Sequence, residues 1–381
     1  MRKFWNHGVV RWRAMRISTA FTAMLLTLVA GSAASDRALA SGWSIQATPN
    51  PTGVSASALE GVSCSAATAC IGVGDINGIS GPAGPLAEQW DGTAWSTQPN
   101  PPGQYLTGVS CTSTAACTAV GPGAYGWNGT AWSIQSTPSE GNGSVLKDVS
   151  CTALNSCTAV GDYRVCQLGQ CRPFYVHVLT LAERWNGSGW LIQPTPNPST
   201  FDNVLDGVSC SSATACTAVG SGVNAPLAER WNGAGWSIQP TPKPAGTQPV
   251  SLFSVSCPTA AECTAVGDYE SSATGYIPLA EEWNGAAWSI QPIPIPSNGV
   301  LEHVSCPAVS ACIAVGWDSA GALIEQWNGT TWSIQPTPAV SGATHSVLSG
   351  VSCPTETACS AVGAYTNSLG TQVALAESYS G

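Results

Sequence analysis

One phrase recurs seven times along the chain. "LEGVSCSAATACIGVG" at 59–74 returns as "LTGVSCTSTAACTAVG" at 106–121 and "LKDVSCTALNSCTAVG" at 146–161, then at 205–220, 252–267, 301–316 and 348–363. Every copy keeps L-x-x-V-S-C, five residues, and C-x-[AG]-V-G. From Cys64 to Cys353 the mean period is about 48 residues. That length suits a propeller blade or a helical solenoid repeat. Helical pairs are excluded, because Val, Thr, Trp, Gly and Pro abound and no long 3.6-residue apolar pattern appears.

Each repeat offers four short strands. The first ends in V-S-C, the second is C-x-A-V-G, the third is of the "PLAERW" type and the fourth is "WSIQPTP". W-N-G-x-x-W forms the usual turn from third to fourth, its Asn-Gly or Asp-Gly supplying residues that tolerate positive φ. Prolines after the fourth strand suit an outer edge, where a missing N–H costs nothing and pairing with other chains is discouraged. The first strand then lines a central channel.

The seventh repeat runs out at "ALAESYSG", 374–381, without a fourth strand, whereas "SGWSIQATPNP" at 41–51 is a fourth strand without a repeat. Joining Tyr379-Ser380-Gly381 to Ser41-Gly42-Trp43 reproduces the spacing from Trp185 to Trp190. The expected fold is therefore all-β: a seven-bladed β-propeller of four-stranded blades over 41–381, its ring closed by the N-terminal strand completing the last blade. Closure of this kind removes exposed sheet edges. An open β-solenoid gives no reason for the split repeat.

Six of the twelve Lys/Arg fall in residues 1–40, ahead of and around the apolar run "ISTAFTAMLLTLVAGSAAS" at 17–35. A small-x-small pattern, "ALA", follows at 38–40. This reads as a signal peptide over 1–40, starting at Met1 or Met15 and cleaved after Ala40. The strongly apolar stretch from Ala20 to Ala30 is short for a membrane span, so no span is expected after cleavage. The rest of the chain carries six Lys/Arg against 21 Asp/Glu, a net charge of −15. Phosphate neutralisation cannot drive nucleic-acid binding by so acidic a body.

An even cysteine count at fixed spacing in an exported chain reads as disulfides. The pairs expected are Cys64–Cys70, Cys111–Cys117, Cys151–Cys157, Cys210–Cys216, Cys257–Cys263, Cys306–Cys312 and Cys353–Cys359, with Cys166–Cys171 in the long insertion of repeat 3. Zinc would want C-x2-C units or nearby His, and the chain has four His. Neither metal nor cofactor is expected.

Recurrent residues read as scaffold. Trp pairs at 90/95, 127/132, 185/190, 231/236, 283/288 and 327/332, with Tyr379/Trp43, suit inter-blade packing. Glu88, Glu183, Glu229, Glu281, Glu325 and Glu377 precede the first aromatic, with Tyr125 in repeat 2, and are expected as structural hydrogen-bonding partners.

The turn G-x-x-W partly resembles the Asp-box of sialidase-type propellers. Where that motif has Asp, this chain has Trp90, Trp185 or Trp231, and its four arginines outside 1–40 form no cluster for a substrate carboxylate. Over nearly all of 41–381 the chain more closely resembles exported actinobacterial propeller-like repeat proteins, through "VSCPTAAECTAVGDY" and "LAEEWNGAAWSIQP". That resemblance implies the fold and export and carries over no catalytic residue.

Variable loops on a rigid scaffold are where function usually lives. Second-to-third loops and inter-blade loops share one rim, and these are the segments that vary. The largest departure is "DYRVCQLGQCRPFYVHVLT" at 162–180. Its Asp162, Tyr163, Arg164, Arg172, Tyr175 and His177 are candidate ligand-binding residues, because planar guanidinium and aromatic groups suit carboxylates or sugars. Tyr269, Tyr276, Trp317, Asp318 and Tyr365 join them on that rim. No catalytic residue is assigned. The expected function is an exported, monomeric, non-catalytic module holding a glycan or extracellular protein. The alternative is an extracellular hydrolase or lyase acting on a polysaccharide or peptide at the channel mouth.

Overall fold

The computed structural model describes residues 42–381 apart from 52, 79–82, 167–175, 224, 245–248, 272–274 and 296–297. The leader expected at 1–40, and Cys171, Arg172 and Tyr175, lie outside the described residues.

The described residues form seven four-stranded antiparallel sheets and no helix. Blade 1 spans 54–97, blade 2 108–135, blade 3 144–193, blade 4 204–239, blade 5 250–290 and blade 6 300–334. Blade 7 spans 343–380 and takes its fourth strand from Gly42–Gln46, which pairs antiparallel with Gln372–Ser380 and sets Trp43 opposite Tyr379. First strands contact the first strands of both neighbouring blades, and those of blades 1 and 7 also meet. The sheets therefore stand in a closed ring, first strands innermost: the seven-bladed propeller expected from the repeats. No helix among the described residues is long and apolar enough to cross a membrane.

Alternation along each strand divides its side chains between two neighbours. In blade 4, Leu227 and Trp236 pack with Val160 and Ala182 of blade 3, while Ala228 packs with Trp283 and Trp288 of blade 5. The core is thus seven inter-blade seams. Each aromatic pair sits in one, its centroids 5.3–5.9 Å apart.

The serine of V-S-C has a single job at every repeat. Its Oγ accepts a hydrogen bond from the amide of the first cysteine in the next blade, at 2.9–3.0 Å: Ser63 from Cys111, Ser110 from Cys151, Ser150 from Cys210, Ser209 from Cys257, Ser256 from Cys306, Ser305 from Cys353, and Ser352 from Cys64. A second tie forms at three seams: Trp190, Trp236 and Trp332 donate Nε1–H to Gln135, Gln193 and Gln291 of the preceding blade.

Seven disulfides join first and second strands with the expected C-x5-C pairing. Cys166 is also disulfide-bonded. Such cross-links persist in oxidising surroundings.

Two expectations are corrected. In the W-N-G-x-x-W turns only the glycine takes positive φ, as at Gly233 (φ 92°). The Asn instead accepts backbone N–H bonds from two and three residues on, as Asn232 does from Ala234 and Gly235. An Asx turn needs the side-chain oxygen and not the left-handed backbone. Five of the six recurrent glutamates, in turn, are not hydrogen-bonding partners: among the described residues both carboxyl oxygens of Glu88, Glu229, Glu281, Glu325 and Glu377 are buried without a hydrogen-bond partner, as is Oε2 of Glu183.

Candidate functional site

The two variable positions of L-x-x-V-S-C build the channel. In blades 1 and 3–7 the register between first and second strands slips by one directly after the leucine. The residues left out of the ladder are Glu60, Lys147, Asp206, Phe253, Glu302 and Ser349. A β-bulge of this kind re-aims the extra side chain, and on an innermost strand it faces the axis. Thr107 holds the place in blade 2 and is tied by its Oγ to Leu146 O at 3.1 Å.

These side chains act on one another across blades. Lys147 Nζ lies 2.7 Å from Asp206 Oδ1. Glu60 of blade 1 hydrogen-bonds Ser349 of blade 7 and is repelled by Glu302 of blade 6. Glu302 is in turn repelled by Asp206.

A second tier stands above them. Asp75, Asp162 and Asp268 follow the glycine that ends C-x-[AG]-V-G, opposite Ala58, Val145 and Ser251. Lys147 reaches Asp162 at 3.7 Å. Asp75 repels Glu60, and Asp268 is repelled by Glu302 and Glu270.

Six carboxyl groups thus gather at the channel mouth, and Lys147 pairs with two of them, Asp206 and Asp162. Burial, then Asp75 and Glu302, push Glu60 up to about 7. Burial and Glu302 raise Asp268 to about 7. Burial also raises Asp75 and Glu302. For Lys147 burial works downward, but Asp206 and Asp162 outweigh it and hold the ammonium above its usual range.

The second x position clasps blades instead. Asp148 accepts from Val208 N at 2.8 Å and Ser254 from Val304 N at 3.2 Å, while His303 hydrogen-bonds the Val351 backbone. His303 therefore packs between blades. Where the residue is glycine, the next blade stands too close for a side chain: a Cβ on Gly207 would lie 2.7 Å from Phe253 O.

The rim residues expected from the sequence divide into groups. Asp162 joins the mouth through Lys147, and Trp317 joins it by donating Nε1–H to Glu302 at 3.0 Å. Tyr276 meets the Trp317 ring edge-on at 6.3 Å. Arg164 acts on Tyr105, which also feels Asp162 and Lys147. Tyr163, Tyr269 and Tyr365 pack on the inter-blade cores. Asp318 accepts backbone N–H bonds from Ala320 and Gly321 and so shapes its own turn. His177 stacks on Phe201 with centroids 4.4 Å apart, and its Nδ1 contacts Thr200 O.

Sequence reasoning missed Glu60, Lys147, Asp206 and Glu302. The signal was present: inside L-x-x-V-S-C, whose other four positions are fixed, the first x runs Glu, Thr, Lys, Asp, Phe, Glu, Ser. Among the described residues no group of three or more His, Cys, Asp or Glu is placed to hold a metal ion.

No family model and no curated protein matches the chain. Solved structures do. YCF48 bound to a D1 peptide aligns with a TM-score of 0.53 at 13% identity, over 91% of this chain and 99% of that one. YCF48 from Cyanidioschyzon merolae aligns with a TM-score of 0.55 at 13% identity, over 89% and 99%. An ancestral GH74 enzyme aligns with a TM-score of 0.55 at 12% identity, over 88% of this chain and 47% of that one. At such identities the likeness is one of fold.

Proposed function

We propose that the chain is an exported, monomeric, non-catalytic recognition module. It seats a segment of an extracellular protein, or a glycan, over the channel mouth. The observation that carries this reading is the bulge at the first x position. In six of the seven blades it spends one residue on the axis, and it gathers Glu60, Lys147, Asp206 and Glu302 there, outside the framework the repeats keep constant. Rim aromatics such as Tyr276 and Trp317 stand beside these charges, a pairing suited to polar ligands with flat or cationic faces. That YCF48, a propeller of similar fold, has been seen with a peptide is consistent with this use of the scaffold. Seven cystines and the leader expected at 1–40 support export. Peptide and glycan arrays probed with the wild type and with Glu302→Gln test the proposal. Binding lost in the variant at unchanged melting temperature supports it, and an unchanged binding profile refutes the mouth as the site.

A second reading rests on Glu60, held near 7 beside Asp75. Carboxyls poised near neutrality suit general acid–base work, as an extracellular hydrolase needs. Turnover of a polysaccharide or peptide library, abolished by Glu60→Gln, would favour it.

A further inference from the structure

Glu88, Glu183, Glu229, Glu281, Glu325 and Glu377 occupy equivalent positions on the third strands, at 0–1% exposure. Glu229 shows why. Across its own sheet it lies between Ala218 and Ile238. Leu227 and Trp231 flank it along the strand on the same face. Val160 and Ala182 of blade 3 pack against that face. The charged neighbours in sequence, Arg184, Arg230 and Glu282, alternate to the opposite faces, where Arg230 lies 4.7 Å over the Trp283 ring of the next blade. The facing clusters around Glu88, Glu281, Glu325 and Glu377 are likewise apolar. Among the described titratable groups, Glu140 alone acts on any of the six, and only on Glu183. In blade 2 the same slot holds Tyr125 at 8% exposure, so the slot accepts a neutral group.

A carboxylate with no hydrogen-bond partner in an apolar slot is far costlier than the neutral acid. We propose that the six glutamates form a pH-responsive lock: the ring closes with these side chains protonated and loosens as they ionise. Burial raises Glu88, Glu229, Glu281 and Glu325 to about 8, and Glu183 and Glu377 to about 7. The ordinary carboxyl value is 4.5. Below it, folded and unfolded chains both carry the protons and the ring is at full strength. Between it and about 8 the unfolded chain releases protons that the folded chain retains, so stability falls as pH rises through this window. Equivalent slots in six of seven seams make the losses fall together.

The test is thermal melting of the wild type from pH 5 to pH 9, beside Glu229→Gln and a variant with all six changed to Gln. The wild type is expected to lose more than ~5 °C across that range, the single variant less, and the sixfold variant least. A wild-type midpoint that stays level or rises overturns the proposal, as does an equal fall in the variants. Should the sixfold variant fail to fold, the infrared carbonyl band of protonated carboxyl groups decides. At pH 6.5 it is expected in the wild type and diminished in Glu229→Gln. A band of unchanged intensity in Glu229→Gln overturns the proposal.

Discussion

Ser352 Oγ accepts the Cys64 amide hydrogen at 3.0 Å, joining residues 288 positions apart. The same bond is made in the other six seams, so the one between blades 7 and 1 is chemically indistinguishable from those within the continuous chain. Ser352→Ala should cost about 1 kcal/mol, the usual worth of a hydrogen bond whose donor is left behind. Ser209→Ala should cost about the same. Denaturant midpoints check this, and a Ser352 effect several-fold larger would mean that the closing seam is special.

The indoles separate a paired from an unpaired donor. Trp332 donates Nε1–H to Gln291 at 2.8 Å, whereas Trp288 Nε1 is buried without a partner among the described residues. Both rings are 5% exposed, so replacement by Phe leaves comparable cavities. Trp332→Phe should therefore be the more destabilising by about 1–2 kcal/mol. Equal losses by calorimetry would show that the indole bond contributes nothing net.

How much of this was legible in the sequence follows from what a repeat reports. Periodicity reports whatever every blade needs, so the strands, the cystines and the completion of blade 7 by residues 42–46 could all be read. A bulge is different: the string L-x-x-V-S-C does not say which residue leaves the ladder, and that depends on the facing strand. Lys147 therefore drew no assignment. Glu229 misled in the opposite sense. Its recurrence signals a fixed place, and a polar residue in a fixed place implies a partner. The slot supplies none, because Ala218, Leu227 and Ile238 enclose it.

The turns yield a contrast within one motif. Gly233 sits at φ 92°, and a Cβ there would lie 3.1 Å from Thr214 Cβ. Gly233→Ala should destabilise by about 1–2 kcal/mol, and Asn232→Ala by about 1 kcal/mol through loss of the Asx bonds. Chemical denaturation measures both.

Blade 1 carries Asp91 where the other described turns carry Asn. Hydrogen bonds from the Thr93 hydroxyl and from the Ala94 and Thr93 amides hold its carboxyl down at about 2. A depressed acid stabilises above its unfolded value and loses that contribution as pH falls through the folded value. The Thr93 and Ala94 amide resonances should therefore shift as pH falls toward about 2, while the corresponding amides of the Asn232 turn stay fixed.

Lys147 compensates Asp206 and Asp162, with all three side chains 14–17% exposed. Lys147→Met should cost about 2–4 kcal/mol by removing the ammonium that Asp206 and Asp162 share. Lys147→Met with Asp206→Asn and Asp162→Asn should recover most of it. No recovery in the triple variant would assign the loss to packing of the lysine stem.

The bulged residues have a combinatorial consequence. Each is ejected from its ladder, so its identity is nearly decoupled from the ladder hydrogen bonds and the cystine that its blade must keep. The axis therefore carries a seven-letter word, Glu-Thr-Lys-Asp-Phe-Glu-Ser in blade order, six of its letters bulged, written on a framework of cystines and serine ties that every blade shares. A lineage copying this repeat can respell its channel while keeping that framework, provided that paired letters such as Lys147 and Asp206 change together.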